Sequence, residues 1–332
     1  MEHDNVPNFR EERMWRFGLF RGFIALAVIF ATASAVLAQD ALKLAIGQRG
    51  LWETSISELG QNAGIFKKHG LTLELLYTQG TGETQQVVIS GAADMGISVG
   101  TFGALGGFSK GAPIRVIGAT MTGGDDLLWY VRDSSPIKSM KDTAGKTVAY
   151  STSGSSTHQT VLAFGKHFGV DLKPVATGGP PSTFTQVMSG QVDVGWAVLP
   201  FGIQAVDEGK IRIIAKASDI PQFRDQTIRV VLANADALKS RRDVFVRYMR
   251  AYRETLDWLY SEPTAVKAYA QWAKVPESVA RRVRYDLSPK EDLNPDRLSG
   301  LDSLMADAVT FKYMAAPLSK EQLAELFQIP FK

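Results

Sequence analysis

Apolar and polar positions along this chain fall into two regimes. Over residues 42–233, short apolar runs alternate with amphipathic stretches; after residue 239 the pattern becomes helical throughout. The runs at 42–46, 71–77, 114–119, 127–131, 211–215 and 228–233 read as strands. Amphipathic stretches stopped by glycine stand between several of them. One such unit occurs twice: residues 84–96 recur as 183–195, and Thr84, Val88, Ser90, Gly91, Asp94 and Gly96 each meet an identical residue. Each copy predicts a helix ended by Ser-Gly, where the glycine supplies a left-handed cap. A short and almost wholly apolar strand follows, as expected of a strand buried on both faces. Strands alternating with helices imply parallel-rich sheets with helices on both faces. The same unit in each half predicts two similar, doubly wound α/β lobes with a cleft between them.

The expected division places residues 1–38 in a leader, 39–133 and 231–332 in the first lobe, and 134–230 in the second. The chain would cross between lobes at Asp133-Ser134-Ser135-Pro136 and return near 228–233, a two-crossing hinge. In the tail, Phe245, Tyr248, Met249, Tyr252, Leu256 and Leu259 recur at spacings of three and four and form one stripe of a long helix. Pro263, Pro276, Pro289, Pro295 and Pro317 punctuate further helices. This tail is expected to pack on the first lobe, its aromatics serving the core.

Charge and composition narrow the partners. The 332 residues are 45% hydrophobic and 21% charged with a net charge of +3, enough for two separate cores. Without a Lys/Arg block interleaved with aromatics, nucleic acid is not an expected partner. At the N-terminus Arg13, Arg16 and Arg21 precede an uncharged run over residues 22–37, and Val36-Leu37-Ala38 resembles a cleavage site. The run is short of the roughly 20 apolar residues that span a bilayer, so it reads as an export signal rather than an anchor. The mature protein is then expected outside the cytoplasmic membrane, beginning at Gln39 and monomeric. The chain has no cysteine, which removes thiolate nucleophiles, Cys-ligated metals and disulfides.

Candidate chemistry concentrates where strands run into helices, the edge at which open α/β sheets hold ligands. The turn Ser151-Thr152-Ser153-Gly154-Ser155-Ser156-Thr157-His158 offers hydroxyls and backbone N–H groups at a helix N-terminus, an oxyanion site that needs no cationic side chain. Plain N-capping is the alternative use of such a turn. Thr81 and Gly82 in the first copy of the repeat, and Gly179 in the second, stand at corresponding turns. Trp196 in the second copy's strand is a candidate to stack on a ligand. Trp52, after the first strand, fits a stacking surface or core packing equally well. His158 fits an anion donor or a half-exposed helix residue. Arg49 is the one cation near the first-strand loop, and Thr122 is a further candidate. Asp125-Asp126 reads as a solvated turn. The histidines of the mature chain, His69, His158 and His167, do not gather at metal-ligand spacing, and no Walker loop, dinucleotide fingerprint or nucleophile elbow occurs. A binding protein without catalytic residues, metal or cofactor is expected.

The leader, the two Ser-Gly-x-x-Asp-x-Gly units, residues 137–149 and the Gly-Ser-Ser-Thr-His turn resemble the nitrate/sulfonate/taurine (NitT/TauT) type of ABC-transporter substrate-binding proteins. The resemblance covers residues 42–233 with a compatible helical tail. It implies a periplasmic-binding-protein fold of the two-crossing type, closure on a small organic solute such as a sulfonate or carboxylate, and delivery to a membrane permease driven by an ATPase. It also implies that Gln48, Ser98, Thr101, the Ser153 to His158 turn (Ser153, Gly154, Ser155, Ser156, Thr157, His158) and Trp196 line the cleft. Two departures stand out: Trp196-Ala197-Val198-Leu199-Pro200-Phe201 lacks the Asp of the family's aromatic-Asp-Pro, and the 151–158 turn is one residue longer than in sulfonate binders. A sensor domain feeding a signalling receptor is the near alternative. An enzyme on the same fold is the distant one, since the thiamine-pyrimidine synthases of this architecture use a Cys-rich motif that this chain lacks.

Overall fold

The computed structural model describes Met1 and residues 39–332. Of the expected export signal at residues 1–38, residues 2–38 lie outside the described residues. Among the described residues ten strands form a five-stranded sheet in the first half and a three-stranded and a two-stranded sheet in the second. In the first, β1 (Asp40–Gly47), β2 (Leu71–Thr78) and β3 (Met95–Gly100) are parallel, and β4 (Ile114–Thr122) and β10 (Thr227–Asn234) complete the order β2-β1-β3-β10-β4. Strand β10 runs antiparallel to both neighbours. In the second half β5 (Leu127–Arg132) lies between β8 (Gly195–Val198) and β9 (Ile211–Lys216), antiparallel to each. Strands β6 (Thr147–Tyr150) and β7 (Lys173–Ala176) pair in parallel, and a parallel bridge from Val148 to Val194 ties β6 to the β8 end. The order β7-β6-β8-β5-β9 therefore repeats that of the first sheet.

The internal repeat is visible atom by atom. The helix Thr81–Ile89 in the first half and Pro180–Met188 in the second occupy the two copies. Thr84 bonds Thr78 at 2.7 Å and the Gly80 carbonyl at 3.2 Å; Thr183 bonds Thr177 at 2.6 Å and the Gly179 carbonyl at 3.1 Å. Gly91 and Gly190 cap the helices with φ of 74° and 80°. Asp94 accepts the Lys43 amide and Asp193 the Thr147 amide, each fastening its loop to the neighbouring strand. A Cβ at Gly96 would lie 2.9 Å from Val88, and one at Gly195 2.7 Å from Val187, so helix and strand pack only because glycine stands there.

Strand pairing moves the crossings. Strand β5, expected in the first lobe, belongs to the second sheet, so the passage falls at residues 123–126 rather than at Asp133. The return falls at residues 217–226, and all of β10 is first-sheet strand. An apolar run announces a strand without naming its partner, which is why the pattern misplaced β5. The tail packs on the first half. Its long helix Arg242–Ser261 buries the whole expected stripe and packs beside the helix Trp52–Asn62, where Gly60 lets Thr255 come close. Among the described residues no helix is long and apolar enough to cross a membrane.

Candidate functional site

The loops after the first-sheet strands meet the 151–158 turn of the second half, and the approach depends on glycine. A Cβ on Gly100 would lie 2.8 Å from the Gly154 carbonyl oxygen and 3.0 Å from the Ser156 nitrogen; one on Gly80 would lie 2.7 Å from Thr152 Oγ1. Gly82 and Gly103 face the Ser153 and Gly154 carbonyls in the same way. The Gly82 amide donates to Thr152 Oγ1 at 3.1 Å, and Gly179, the N-cap of its helix, lies beside Gln79. The two halves are closed on each other.

Between them lies a narrow cavity of ≈ 10 Å³, about the room one water needs. Its wall carries Gln48, Glu53, Thr81, Ser98 and Arg229 from the first half and Ser151, Ser156, Thr157 and Trp196 from the second. Gln48 and Ser98 are held at φ of 46° and 61° at the ends of their strands, backbone strain of the kind that collects at binding sites. The helix Ser156–Phe168 points its N-terminus here, and Ser155 caps it by accepting the His158 amide at 3.0 Å. The amides of Ser156 and Thr157 belong to the first turn, whose N–H groups have no partner within the helix. Among the described residues, Trp196 Nε1, Thr81 Oγ1, Glu53 Oε2 and Arg229 Nε are buried without a hydrogen-bond partner, and all four belong to residues of this wall. Larger surface grooves exist, such as one beside Tyr130, Phe184 and Phe201, but they bring together no such atoms.

A buried ion cluster stands at the floor. Arg229 on β10 pairs with Asp126 in the first crossing and lies 2.8 Å from Glu53 Oε1, which also accepts Ser98 Oγ at 2.7 Å. Burial raises the Glu53 carboxyl to about 7; Arg229 opposes the shift and Asp126 adds to it. The pattern hid this cluster. Asp126 is buried rather than a solvated turn residue. Arg229 was legible only as a lone charge inside the apolar strand β10. Glu53 carried no signal.

Several sequence candidates turn elsewhere. Trp52 is buried, with Nε1 donating to Tyr260 at 3.0 Å and its ring edge-on to Tyr269, so it is core. Arg49 bonds the Trp272 carbonyl, pairs with Glu58 and stacks on Trp272, away from the cavity. Thr101 and Thr122 are spent on Thr227 within the first half. Ser153 and Gly154 line a separate outer groove, and the Gly154 amide, expected for an oxyanion, donates to Tyr313 Oη at 2.9 Å. That hydroxyl also lies 2.6 Å from His158 Nδ1. His158 stacks on Tyr150, and burial lowers it to about 4, so it is neutral at pH 7. Tyr313 shows that one tail aromatic reaches the second half.

Two α/β halves of one strand order, joined by two crossings and closed over a polar cavity at the strand ends, define a periplasmic-binding-protein fold. The alkanesulfonate-binding protein SsuA from Xanthomonas axonopodis pv. citri, bound to MOPS, shares it at a TM-score of 0.74. It is 17% identical, over 88% of this chain and 99% of that one. The periplasmic nitrate-binding protein NrtA from Synechocystis PCC 6803 follows at a TM-score of 0.69, 14% identical over 87% and 86%. The chain belongs to the NMT1/THI5-like family, whose sequence model matches residues 58–266. Among curated proteins it is similar to the 4-amino-5-hydroxymethyl-2-methylpyrimidine phosphate synthase of Uromyces fabae, 21% identical over 69% of this chain and 70% of that protein. That relative is named as an enzyme, which overturns the expectation that this protein is not one.

Proposed function

We propose that this protein is the extracytoplasmic solute-binding component of an ABC importer, exported by residues 1–38 and acting as a monomer. The observation that carries the reading is the cavity closed between the halves, where the unpartnered Trp196 Nε1–H and Thr81 hydroxyl stand near the first-turn amides of Ser156 and Thr157. Such donors match a small organic anion, a carboxylate or sulfonate, held by charge-assisted bonds worth about 1.5–3 kcal/mol each. Contacts from both lobes exist only when they are closed, so ligand favours closure about the segments 123–126 and 217–226. A permease then receives the loaded protein. A thermal-shift screen of small carboxylates and sulfonates tests this, followed by small-angle scattering with any hit. Stabilisation with a smaller radius is expected; a bound anion that leaves the radius of an open form unchanged overturns the closure. Recovery of the full-length chain in the membrane fraction overturns the export step.

A second reading takes its support from the curated relatives: formation of the phosphorylated aminopyrimidine for which they are named. Rescue of a strain lacking that synthase, or product detected by mass spectrometry, favours it over import.

A further inference from the structure

The ion cluster at the cavity floor has one cation for two carboxylates. Arg229 pairs with Asp126 and also lies against Glu53 Oε1; Glu53 Oε2 has neither a donor nor solvent. Both Glu53 and Arg229 are 2% exposed. Every charged or titratable group facing Glu53 can be named. Arg229 comes from β10, Asp126 from the first crossing and Tyr252, also buried, from the helix Arg242–Ser261; Ser98 on β3 contributes a hydroxyl. None of these supplies a second positive charge. An anion entering this cavity meets a cluster that is net negative while both carboxylates are ionised, at a depth where charge is poorly screened.

We propose that the site captures its anionic solute together with one proton, taken from solvent onto Glu53, whose Oε2–H then becomes a donor on the cavity wall. This deepens the reading of the cavity as an anion-binding site and rests on it. Protonation does two things at once: it brings the Glu53–Asp126–Arg229 cluster to neutrality and turns an unpartnered acceptor into a hydrogen-bond donor. The elevated titration of Glu53, caused first by burial, is in keeping with this. Glu53 thereby selects for solutes that present an acceptor oxygen and tunes capture to the acidity outside the cell membrane.

The probe is ethanesulfonate, which stays ionised across the working range, so any proton taken up belongs to the protein. Calorimetry at pH 8 in two buffers of different ionisation enthalpy should show close to one proton absorbed per probe bound. Affinity should fall about fivefold from pH 7 to 8 and about tenfold from pH 8 to 9. Glu53→Gln, neutral at every pH and still a donor, should bind with little pH dependence. Binding by wild type without proton uptake overturns the coupling and leaves the anion site standing. No binding by wild type or Glu53→Gln between pH 5 and 8 overturns the anion site, and the coupling with it. Should Glu53→Gln fail to fold, the two-buffer experiment on wild type decides alone.

Discussion

Gly100→Ala separates closure from stability. Gly100 lies at φ −62° and ψ 121°, a conformation alanine adopts freely, just before the helix Thr101–Phe108. Relative to glycine, alanine there reduces the freedom of the unfolded chain, which stabilises by about 0.4–1 kcal/mol. The new methyl would meet three backbone atoms of the opposite half: the Gly154 oxygen at 2.8 Å, the Ser156 nitrogen at 3.0 Å and the Ser155 carbonyl carbon at 3.2 Å. Comfortable contacts to carbon lie near 3.5–4.0 Å, so the turn must recede by roughly 0.5 Å or more. Backbone held by a capped helix does not yield as a flexible side chain would. Overpacking of this kind costs about 1–3 kcal/mol, which falls wholly on the closed form and weakens solute binding some 5- to 150-fold. Scattering should report a larger radius at saturating solute, while the thermal midpoint without solute stays level or rises. Gln86→Ala, on the exposed face of the helix Thr81–Ile89, is the control. If Gly100→Ala closes and binds as wild type does, the tight lobe contact does not govern closure.

Trp196→Phe deletes an N–H that has no partner in the protein and trims a buried ring; calorimetry should show solute binding weakened by about 1.5–3 kcal/mol, and the melting temperature should fall as well, because the smaller ring leaves a cavity. Tyr313→Phe leaves the Gly154 amide and His158 Nδ1 without their hydroxyl, a loss of roughly 1–3 kcal/mol from the closed form that hydrogen exchange at Gly154 should register. His158 titrates near 4 in the folded protein against 6.5 unfolded, so its protonation favours the unfolded chain. Stability should be full above pH 6.5 and decline between 6.5 and 4, a slope that His158→Asn flattens in urea titrations. Arg229→Met strands Glu53 and Asp126 without their cation and should cost about 3–5 kcal/mol by denaturant unfolding, more at pH 9 than at pH 6, where Glu53 holds a proton.

The sequence by itself determined the architecture, because the physics behind it is local. Period-2 and period-3.6 patterns fix strands and helices. The repeated Thr84 and Thr183, Gly91 and Gly190, and Gly96 and Gly195 fix the same cap and the same close helix–strand approach twice. The placement of candidates at strand-to-helix turns was legible too, and Gln48, Thr81, Ser98, Ser156, Thr157 and Trp196 share one cavity wall. What remained depended on contacts between residues far apart in the chain. Pairing across sheets took β5 from the first half to the second. A tail helix claimed Trp52, and the tail's Tyr313 claimed the Gly154 amide expected for a ligand. Glu53, Asp126 and Arg229, up to 176 residues apart, became one buried cluster only when β10 returned beside the first crossing. Pattern reports which face of an element is apolar. It does not report what that face meets, and a buried charge is set by the partners that tertiary structure brings to it.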